Sequence, residues 1–276
     1  MTINCKGELI DLDSPKVMGI LNLTPDSFFD GGKYKNETEI LAQTEKMLNE
    51  GATFIDVGAC SSRPDAEDIS EAKELKRLLP VLELLVKKFP EILISVDTFR
   101  SPVAEKAISA GAAIINDISA GNLDEEMMKV VAKLKVPYIM MHMRGTPKTM
   151  KTLTDYDNVV LDVLRYFSEK IQKALELGIS DLIIDPGFGF AKNISQNFEM
   201  LQHLEVFKNL ELPVLVGLSR KSTIYKTLKI SPKESLNGTT TLNSVALHKG
   251  ASILRVHDVK EAKECVLLMN ELRKFD

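Results

Sequence analysis

The chain has 276 residues, of which 44% are hydrophobic and 27% are charged, a mixture typical of a globular protein with a large buried core. Its 35 Lys and Arg residues and 39 Asp and Glu residues give a formal net charge of −4, which argues against a sequence-independent nucleic-acid binder. The longest apolar runs are far shorter than the roughly 20 residues of a membrane span. Residues 1–14 also lack the apolar segment of a secretory signal.

The cysteines predict the cellular compartment, and the absence of linkers predicts the domain organisation. Cys5, Cys60 and Cys265 are widely separated and form no Cys-X-X-Cys motif, which disfavours a disulfide framework or a structural zinc site. We therefore expect a protein of the reducing cytoplasm. No linker or low-complexity tract interrupts the sequence, so residues 1–276 are predicted to form one domain.

Eight short apolar runs rich in β-branched residues predict strands that are buried on both faces, as parallel sheets require. In chain order these runs are Val17–Leu23, Thr53–Gly58, Ile92–Asp97, Ala113–Asp117, Tyr138–His142, Leu182–Asp185, Val214–Gly217 and Ile253–His257. Amphipathic patterns between them predict helices over Glu37–Glu50, Ile69–Phe89, Ser101–Ala110, Asp155–Leu177, Ser235–Lys249 and Val259–Lys274. We expect Pro80 to kink or break the second of these helices.

The alternation of eight strands with helices, in a chain near the usual length of about 250 residues, predicts the α/β class and a (β/α)8 TIM barrel. An open doubly wound sheet is the alternative, but no Gly-X-Gly-X-X-Gly motif follows the first strand. Strand-like pieces before Val17 predict a short N-terminal β-hairpin that caps the barrel floor. The polar stretch Met143–Leu153 predicts a mobile loop after the fifth strand.

Polar residues follow all eight predicted strands, at the barrel end where the active sites of such enzymes lie. They are Asn22, Asp56, Asp97, Asn116, Asp117, His142, Asp185, Ser219, Lys221, Arg255 and His257. One such residue usually forms a turn or caps a helix, but that interpretation does not predict two histidines, a lysine and an arginine. Two buried cations such as Arg255 and His257 require an anion. Arg255 could pair with Asp258 or another acid, and a phosphate-type ligand is the alternative.

Loops beyond the strand ends add candidate binding groups. Residues 22–32 contain two carboxylates, two phenylalanines and a glycine pair, and this length favours a lid in which Phe28 and Asp30 cover a ligand. Residues 60–64, Cys-Ser-Ser-Arg-Pro, offer hydroxyls and a guanidinium. Residues 217–222, Gly-Leu-Ser-Arg-Lys-Ser, lead into a helix whose first N–H groups favour anions.

Six segments of this chain carry a specific resemblance. They read, in order, MGILNLTPDSFFDGG, SVDTFRSPVAEKAISAGAAIINDISAG, MMHMRGTP, IIDPGFGFAK, GLSRKS and GASILRVHDV, and they extend from the first barrel strand to the last helix. Together they resemble the dihydropteroate synthase family of pterin-binding TIM barrels. The resemblance implies a transferase of folate biosynthesis that joins 6-hydroxymethyl-7,8-dihydropterin diphosphate to p-aminobenzoate, with release of pyrophosphate. It also implies a dissociative substitution through a pterin-methylene cation.

The resemblance implies a pterin site inside the barrel. Asp185 would accept hydrogen bonds from the 2-amino and ring N–H groups, and Lys221 would donate to the pterin carbonyl oxygen. The full set implied for the pterin is Asp97, Asn116, Ile118, Met141, Asp185, Phe190, Gly217 and Lys221. Asp97 would also stabilise the positive charge that develops as the diphosphate leaves.

Two further subsites follow from the same resemblance. Asn22, Arg63, Arg255 and His257 would hold the diphosphate, and Asn22 would contact Mg²⁺, which prefers oxygen ligands and bridges phosphates. The p-aminobenzoate would contact Phe28, Asp30, Ser61, Ser62, Arg63, Pro64, Phe190, Lys221 and Ser222. The implied catalytic set is Asp97, Lys221, Asn22, Arg255 and His257.

The resemblance also implies partners and leaves alternatives open. Small-molecule substrates, sulfonamides as competitive inhibitors and a homodimer are implied, without nucleic acid or membrane. In the second loop Cys60 stands where the family has an acid, and Asp65 where it has a glycine, so contacts to p-aminobenzoate are expected to differ. A pterin-binding methyltransferase is the alternative enzyme, although it has no diphosphate to hold. A non-catalytic pterin-binding protein is the second alternative.

Overall fold

The computed structural model describes residues 1–23, 33–60 and 69–275. The first two strands are β1 (Thr2–Cys5) and β2 (Glu8–Asp11), which pair antiparallel. The strands that follow are β3 (Lys16–Asn22), β4 (Phe54–Gly58), β5 (Ile94–Asp97), β6 (Ile114–Asp117), β7 (Tyr138–Met141), β8 (Leu182–Asp185), β9 (Leu215–Val216) and β10 (Ile253–Val256). Each of the eight predicted strands is therefore present, with bounds within two residues of those expected.

These eight strands form one parallel sheet in the order β8-β7-β6-β5-β4-β3-β10-β9. The order follows the chain once around a ring, because β3 pairs with both β4 and β10. A parallel bridge between Ile184 and Val214 joins the two ends of the order. The sheet therefore closes, and the predicted TIM barrel is confirmed.

Helices separate successive barrel strands. They are α1 (Lys33–Asn49), α2 (Glu71–Lys88), α3 (Ser101–Ser109), α4 (Met127–Leu134), α5 (Val159–Glu176), α6 (Ile194–Gln202), α7 (Ser222–Leu228), α8 (Leu236–His248) and α9 (Val259–Leu272). Of the predicted kink or break at Pro80, the break does not occur, because α2 continues through it. Pro80 is exposed beside the exposed Lys76, so water can hydrate the carbonyl that a proline leaves without its helical donor.

The N-terminal hairpin closes one end of the barrel, as predicted. Ile3, Cys5 and Leu12 are buried in one apolar cluster with residues from the amino-terminal parts of the barrel strands. Those barrel residues are Met18, Phe54, Ala113, Ile114, Ile139, Ile183, Leu215 and Ile253. This burial removes apolar side chains from water at the barrel floor. The carboxyl ends of the strands remain at the opposite end.

The segment Met143–Leu153 is a loop, as predicted, but two of its methionines are buried against the barrel. Met143 and Met150 are both buried, in a cluster with Ile118 and Met141, and a short 3-10 helix covers Met150–Thr152. The expectation of a mostly polar, mobile segment therefore overlooked the packing of its methionines against the barrel mouth. Elsewhere in the ranges that the structure describes, no helix has the length and apolar composition needed to cross a bilayer.

Candidate active site

A cavity lies inside the barrel mouth at the carboxyl ends of the strands. It is lined by Asp97, Asn116, Ile118, Met141, Asp185, Phe190, Gly217, Lys221 and Arg255. This lining contains all eight residues expected at the pterin, together with one residue expected at the diphosphate. Sequence positions as distant as 97 and 255 therefore converge on one cavity with carboxylates, an amide and two cations.

Arg255 is held by the carboxylates of Asp56 and Asp97, which lie on neighbouring strands. Its Nε donates to Asp56 Oδ2 at 2.7 Å, and its Nη2 donates to Asp97 Oδ2 at 3.0 Å. Asp56 is fully buried and also accepts from Ser95 Oγ at 2.6 Å and from Asn116 Nδ2 at 3.2 Å. Of the two alternatives for Arg255, the structure shows pairing with acids of the protein, which are Asp56 and Asp97 in place of Asp258. Its assignment to the diphosphate stays a prediction.

Asp56 has a role at the site that its position in the sequence does not predict. It is one of the polar residues at the strand ends, but neither the strand pattern nor the resemblance assigns it to a subsite. In the structure it fixes both Arg255 and Asn116, which line the cavity. The only signal in the sequence was its position in β4, two residues before the strand ends at Gly58.

Burial sets the protonation of the cavity carboxylates. It raises the pKa of Asp97 to about 7, with the charge of Arg255 opposing the shift. It also raises the pKa of Asp185, with Lys221 as the largest opposing charge. Asp97 can thus exchange a proton near neutral pH, because a desolvated carboxylate is less stable than its neutral form.

The turn after β8 connects Asp185 to Lys221. Gly187 N–H donates to Asp185 Oδ1 at 2.8 Å, and Lys221 Nζ donates to Phe188 O. The Lys221 ammonium also lies 5.0 Å from the centre of the Phe190 ring, within the range of a cation–π contact. Burial lowers the pKa of Lys221 to about 8, and Asp185 opposes that shift.

Asn22 and His257 lie at the rim and not within the cavity lining. Both side chains are exposed, and His257 Nδ1 is 3.0 Å from Ser219 Oγ, which also accepts from the His257 backbone N–H. Desolvation of the ring nitrogens, followed by the charge of Arg255, lowers the pKa of His257.

An ion pair between Arg220 and Asp258 fixes the segment that contains Lys221 and Ser222. Arg220 donates through Nε and Nη2 to the two carboxylate oxygens of Asp258, both at 2.8 Å. It also donates through Nη1 to Lys233 O at 2.7 Å. Asp258, the sequence neighbour considered for Arg255, is therefore the partner of Arg220. Ser222 begins α7, with Lys221 as the preceding cap residue.

Asp117 ends β6 and His142 follows β7, but neither lines the cavity. Asp117 accepts from Ser119 N–H and Oγ, from Gly121 N–H and from Tyr138 Oη, at 2.7–2.8 Å. Its environment matches the turn-forming role that a single polar strand-end residue usually has. His142 is buried against Tyr166, with ring centroids 4.8 Å apart and an edge-on geometry.

Removal of one donor to Asp117 will test this assignment. We expect Tyr138→Phe to lower the free energy of unfolding by about 1–3 kcal/mol, because a buried carboxylate loses one of its hydrogen bonds. Activity should change little. Urea denaturation checks this, with Tyr225→Phe as the matched control, since no hydroxyl hydrogen bond of Tyr225 is found among the described residues. Equal effects of the two substitutions would contradict the assignment.

Several predicted site residues lie outside the described residues. They are Phe28, Asp30, Ser61, Ser62, Arg63 and Pro64. Their assignments to p-aminobenzoate and to the diphosphate stay predictions. Within the described ranges no cluster of three or more histidine, cysteine or acidic side chains could hold a metal ion.

Comparisons with known proteins agree with this geometry. The family model described as "Pterin binding enzyme" matches residues 18–257. The chain is 43% identical over 268 residues to the dihydropteroate synthase of Escherichia coli strain K12, covering 96% of this chain and 94% of that protein. It is 40% identical over 258 residues to the dihydropteroate synthase of Bacillus subtilis strain 168, covering 93% and 88%.

Solved structures give the same result. The Yersinia pestis dihydropteroate synthase in complex with a sulfonamide drug superposes with a TM-score of 0.93 at 40% identity, covering 99% of this chain and 100% of that one. The Xanthomonas albilineans dihydropteroate synthase with 4-aminobenzoic acid superposes with a TM-score of 0.91 at 38% identity, covering 99% and 98%. Since the family match spans most of the barrel and these relatives align over nearly all of it, the chain belongs to the dihydropteroate synthase family of pterin-binding enzymes.

Proposed function

We propose that this barrel condenses 6-hydroxymethyl-7,8-dihydropterin diphosphate with p-aminobenzoate to give 7,8-dihydropteroate and pyrophosphate. The observation that carries the proposal is the single cavity in which Asp97, Asn116, Asp185, Lys221 and Arg255 converge. A chain with this cavity and 43% identity to a named dihydropteroate synthase fits this reaction better than methyl transfer, which has no diphosphate to bind.

Recognition of the pterin is assigned to the deep part of the cavity. The pterin ring presents an amino group, ring N–H groups and a carbonyl oxygen along its edge. Asp185 supplies a carboxylate as acceptor, while Lys221 supplies an ammonium as donor, and both are desolvated. Met141, Ile118 and Phe190 supply apolar surface for the ring faces. A buried polar array of this kind discriminates strongly against ligands that leave its groups unpaired.

Departure of the diphosphate needs positive charge at the mouth of the cavity. Arg255 is assigned to the diphosphate, and because Asp56 and Asp97 hold its guanidinium, little reorganisation is needed when the substrate binds. His257, which is exposed at the rim, is assigned as a hydrogen-bond donor to the same group.

Asp97 is assigned to the charge that forms on the pterin. When the carbon–oxygen bond breaks, the electron pair leaves with pyrophosphate and a positive charge remains on the pterin methylene group. A carboxylate lining the cavity stabilises that charge if it is ionised. Because burial raises the pKa of Asp97 to about 7, substrate cations and Arg255 control how much of it is ionised at neutral pH. The aryl amine then attacks the methylene carbon and loses a proton.

Magnesium is part of the proposal, with Asn22 as its protein ligand. The Asn22 Oδ1 and Asp97 Oδ2 atoms lie 3.8 and 3.6 Å from the position that a Cβ would occupy on Gly58, so a carbonyl and a carboxylate oxygen flank one glycine. Mg²⁺ usually takes one or two protein oxygens and keeps waters and phosphate oxygens as its other ligands. The donor set at this rim fits that requirement. When bound, the ion would neutralise oxygens of the leaving diphosphate.

The second substrate is assigned to the outer part of the cavity. Phe190, Lys221 and Ser222 are the described residues proposed to contact p-aminobenzoate. Ser222 begins α7, where backbone N–H groups are oriented to receive a carboxylate. Sulfonamides, one of which is bound to the Yersinia pestis relative, are proposed to compete for this position. The proposed homodimer rests on the family resemblance, and sedimentation velocity tests it. The proposed cytoplasmic location rests on the cysteine content.

The reaction itself tests the proposal. We expect purified protein with pterin diphosphate, radiolabelled p-aminobenzoate and Mg²⁺ to form labelled pteroate and an equal amount of pyrophosphate. A reaction without the pterin substrate is the control, and a sulfonamide should raise the KM for p-aminobenzoate without changing kcat. Absence of both labelled product and pyrophosphate would contradict the proposed function. Methyl transfer from a methylated tetrahydrofolate in the same preparation would favour the methyltransferase alternative.

A further inference from the structure

Lys192 is a buried cation that has no place in the reaction described above. Its side chain is almost fully buried, and its Nζ lies 2.9 Å from His142 Nδ1, 3.1 Å from Gly187 O and 3.2 Å from Phe190 O. Burial lowers the pKa of Lys192 to about 7. In its ammonium form the lysine has three protons and no acceptor capacity, so in that form these three contacts use all of its donors. All three partners are neutral acceptors. No ion pair of Lys192 is found in the part of the chain that the structure describes.

His142 is arranged to accept a hydrogen bond from this lysine. Burial, followed by the charge of Lys192, lowers the pKa of His142 well below its usual range. The ring is therefore neutral. Because a neutral imidazole has one donor and one acceptor nitrogen, the contact with the protonated form of Lys192 assigns the lone pair to Nδ1 and the proton to Nε2. The edge-on contact with Tyr166 keeps the ring in this orientation.

The carbonyls that Lys192 holds belong to the turn that shapes the pterin cavity. Gly187, in the same turn, donates its N–H to Asp185 Oδ1 at 2.8 Å, and Phe190 lines the cavity. Lys221 donates to Phe188 O, so the turn lies between two ammonium groups. It is also tightly packed, since a Cβ on Gly187 would lie 2.1 Å from His142 O. Residues 187–190 can therefore move only if these contacts break.

We propose that Lys192 is a positioning residue for the pterin and that His142 is the acceptor that fixes it. Through the carbonyls of Gly187 and Phe190, the lysine keeps the Asp185 carboxylate and the Phe190 ring at the places where they meet the pterin. This inference rests on the proposed function, because the pterin is the ligand whose binding it explains. Lys192 does not line the cavity, so we assign it no contact with the pterin.

The first test removes the lysine. Lys192→Met keeps the length and apolar stem of the side chain but removes all three hydrogen bonds. We expect the Kd for pterin diphosphate, measured by calorimetry without p-aminobenzoate, to rise about tenfold, because small displacements of binding groups have effects of this order or larger. The KM for p-aminobenzoate should change less than about threefold. Lys260→Met, at an exposed lysine on α9, is the matched control and should bind like the wild type.

The second test separates the acceptor from the bulk of the ring. His142→Asn places Oδ1 at the same position along the side chain as the imidazole Nδ1 and keeps an acceptor, whereas His142→Phe keeps the ring and removes the acceptor. We expect His142→Asn to bind pterin diphosphate within about threefold of wild type, and His142→Phe to bind it about tenfold more weakly. The reverse order, or equal affinities, would overturn the inference. This pair of variants tests the acceptor even if Lys192→Met does not fold.

The two proposals fail in different ways. If the wild-type protein forms no pteroate, the proposed function is wrong, whatever the Lys192 variants bind. If the wild type forms pteroate while Lys192→Met and His142→Phe bind pterin diphosphate as it does, the positioning role is wrong and the reaction stands. A combined K192M/H142F variant should be no weaker than K192M, because residues that share one hydrogen bond have non-additive effects.

Discussion

Lys221→Met lowers kcat/KM for pterin diphosphate by about 10²–10³-fold, the usual effect of losing one preorganised hydrogen-bond donor, while the fold is retained. The lysine stem packs closely in the turn, since its Cδ lies 3.2 Å from the position of a Cβ on Gly189. Methionine preserves this packing and removes only the ammonium, which donates to Phe188 O and is assigned to the pterin carbonyl oxygen. Circular dichroism and urea denaturation verify the fold, and steady-state kinetics measure the loss.

The pH dependence of the same variant provides a second measurement. Burial lowers the pKa of Lys221 to about 8, so the wild-type enzyme should lose activity as the pH rises through 8 and the ammonium deprotonates. The Lys221→Met variant has no such group, and its remaining activity should not fall across that interval for this reason. Lys226→Met, at an exposed position of α7, the helix that begins after Lys221, is the control for surface charge. A kcat/KM within about threefold of wild type in Lys221→Met would contradict the assignment.

The barrel strands could be predicted from the sequence because burial on both faces leaves a strong local signal. Runs such as Leu182–Asp185 contain only apolar residues up to the polar residue at the strand end, and the strand ends at that residue in the structure. The signal weakens at β9, where Val214–Gly217 was predicted and only Leu215–Val216 forms the strand. Helices α4 and α6 are short, at eight and nine residues, and their bounds were not predicted.

Part of the cavity could be predicted from the strand ends, whereas the pairing within it could not. Parallel strands bring their carboxyl ends together, and Asp97, Asn116, Asp185, Lys221 and Arg255 from those ends line the cavity. Its apolar residues and Gly217 were expected from the family resemblance alone. Which carboxylate meets which cation depends on side-chain directions from distant strands. Asp258, adjacent to His257, pairs with Arg220, while Arg255 pairs with Asp56, which is 199 residues away in the chain. No local pattern in the sequence distinguishes these two pairings.

The pairing of Arg255 leads to the prediction with the largest effect on stability. Arg255→Met leaves the fully buried carboxylate of Asp56 and the partly buried carboxylate of Asp97 without their cation. Breaking a buried ion pair by removal of one partner destabilises proteins by about 3–5 kcal/mol. We expect a loss of this size in the free energy of unfolding near pH 8, together with a large fall in kcat/KM for pterin diphosphate. Arg165→Met is the control, because its side chain is 77% exposed beside Asp162 and such pairs contribute about 0–1 kcal/mol.

The pH dependence of that loss identifies its cause. The pKa of Asp97 is already raised to about 7 in the folded protein, against about 3.9 in an unfolded chain, and loss of Arg255 raises it further. A carboxyl with a raised folded-state pKa favours the folded state at low pH and loses that contribution as the pH rises through the folded pKa. The difference in stability between Arg255→Met and wild type should therefore be greatest above pH 7 and should shrink towards pH 5.

A second substitution isolates the uncompensated charge. Asp97→Asn in the Arg255→Met background removes one of the two unpaired carboxylates and should recover part of the lost stability, most clearly above pH 7. Urea denaturation of the wild type, both single variants and the double variant at pH 5 and pH 8 gives the coupling between the two positions. A loss that is independent of pH, or one that Asp97→Asn deepens, would show that Arg255 stabilises the barrel through packing. Recovery of stability by Asp97→Asn would show instead that the two carboxylates destabilise the fold when they are unpaired. Arg255 would then offset that destabilisation, while the carboxylates hold it in place for an anionic substrate.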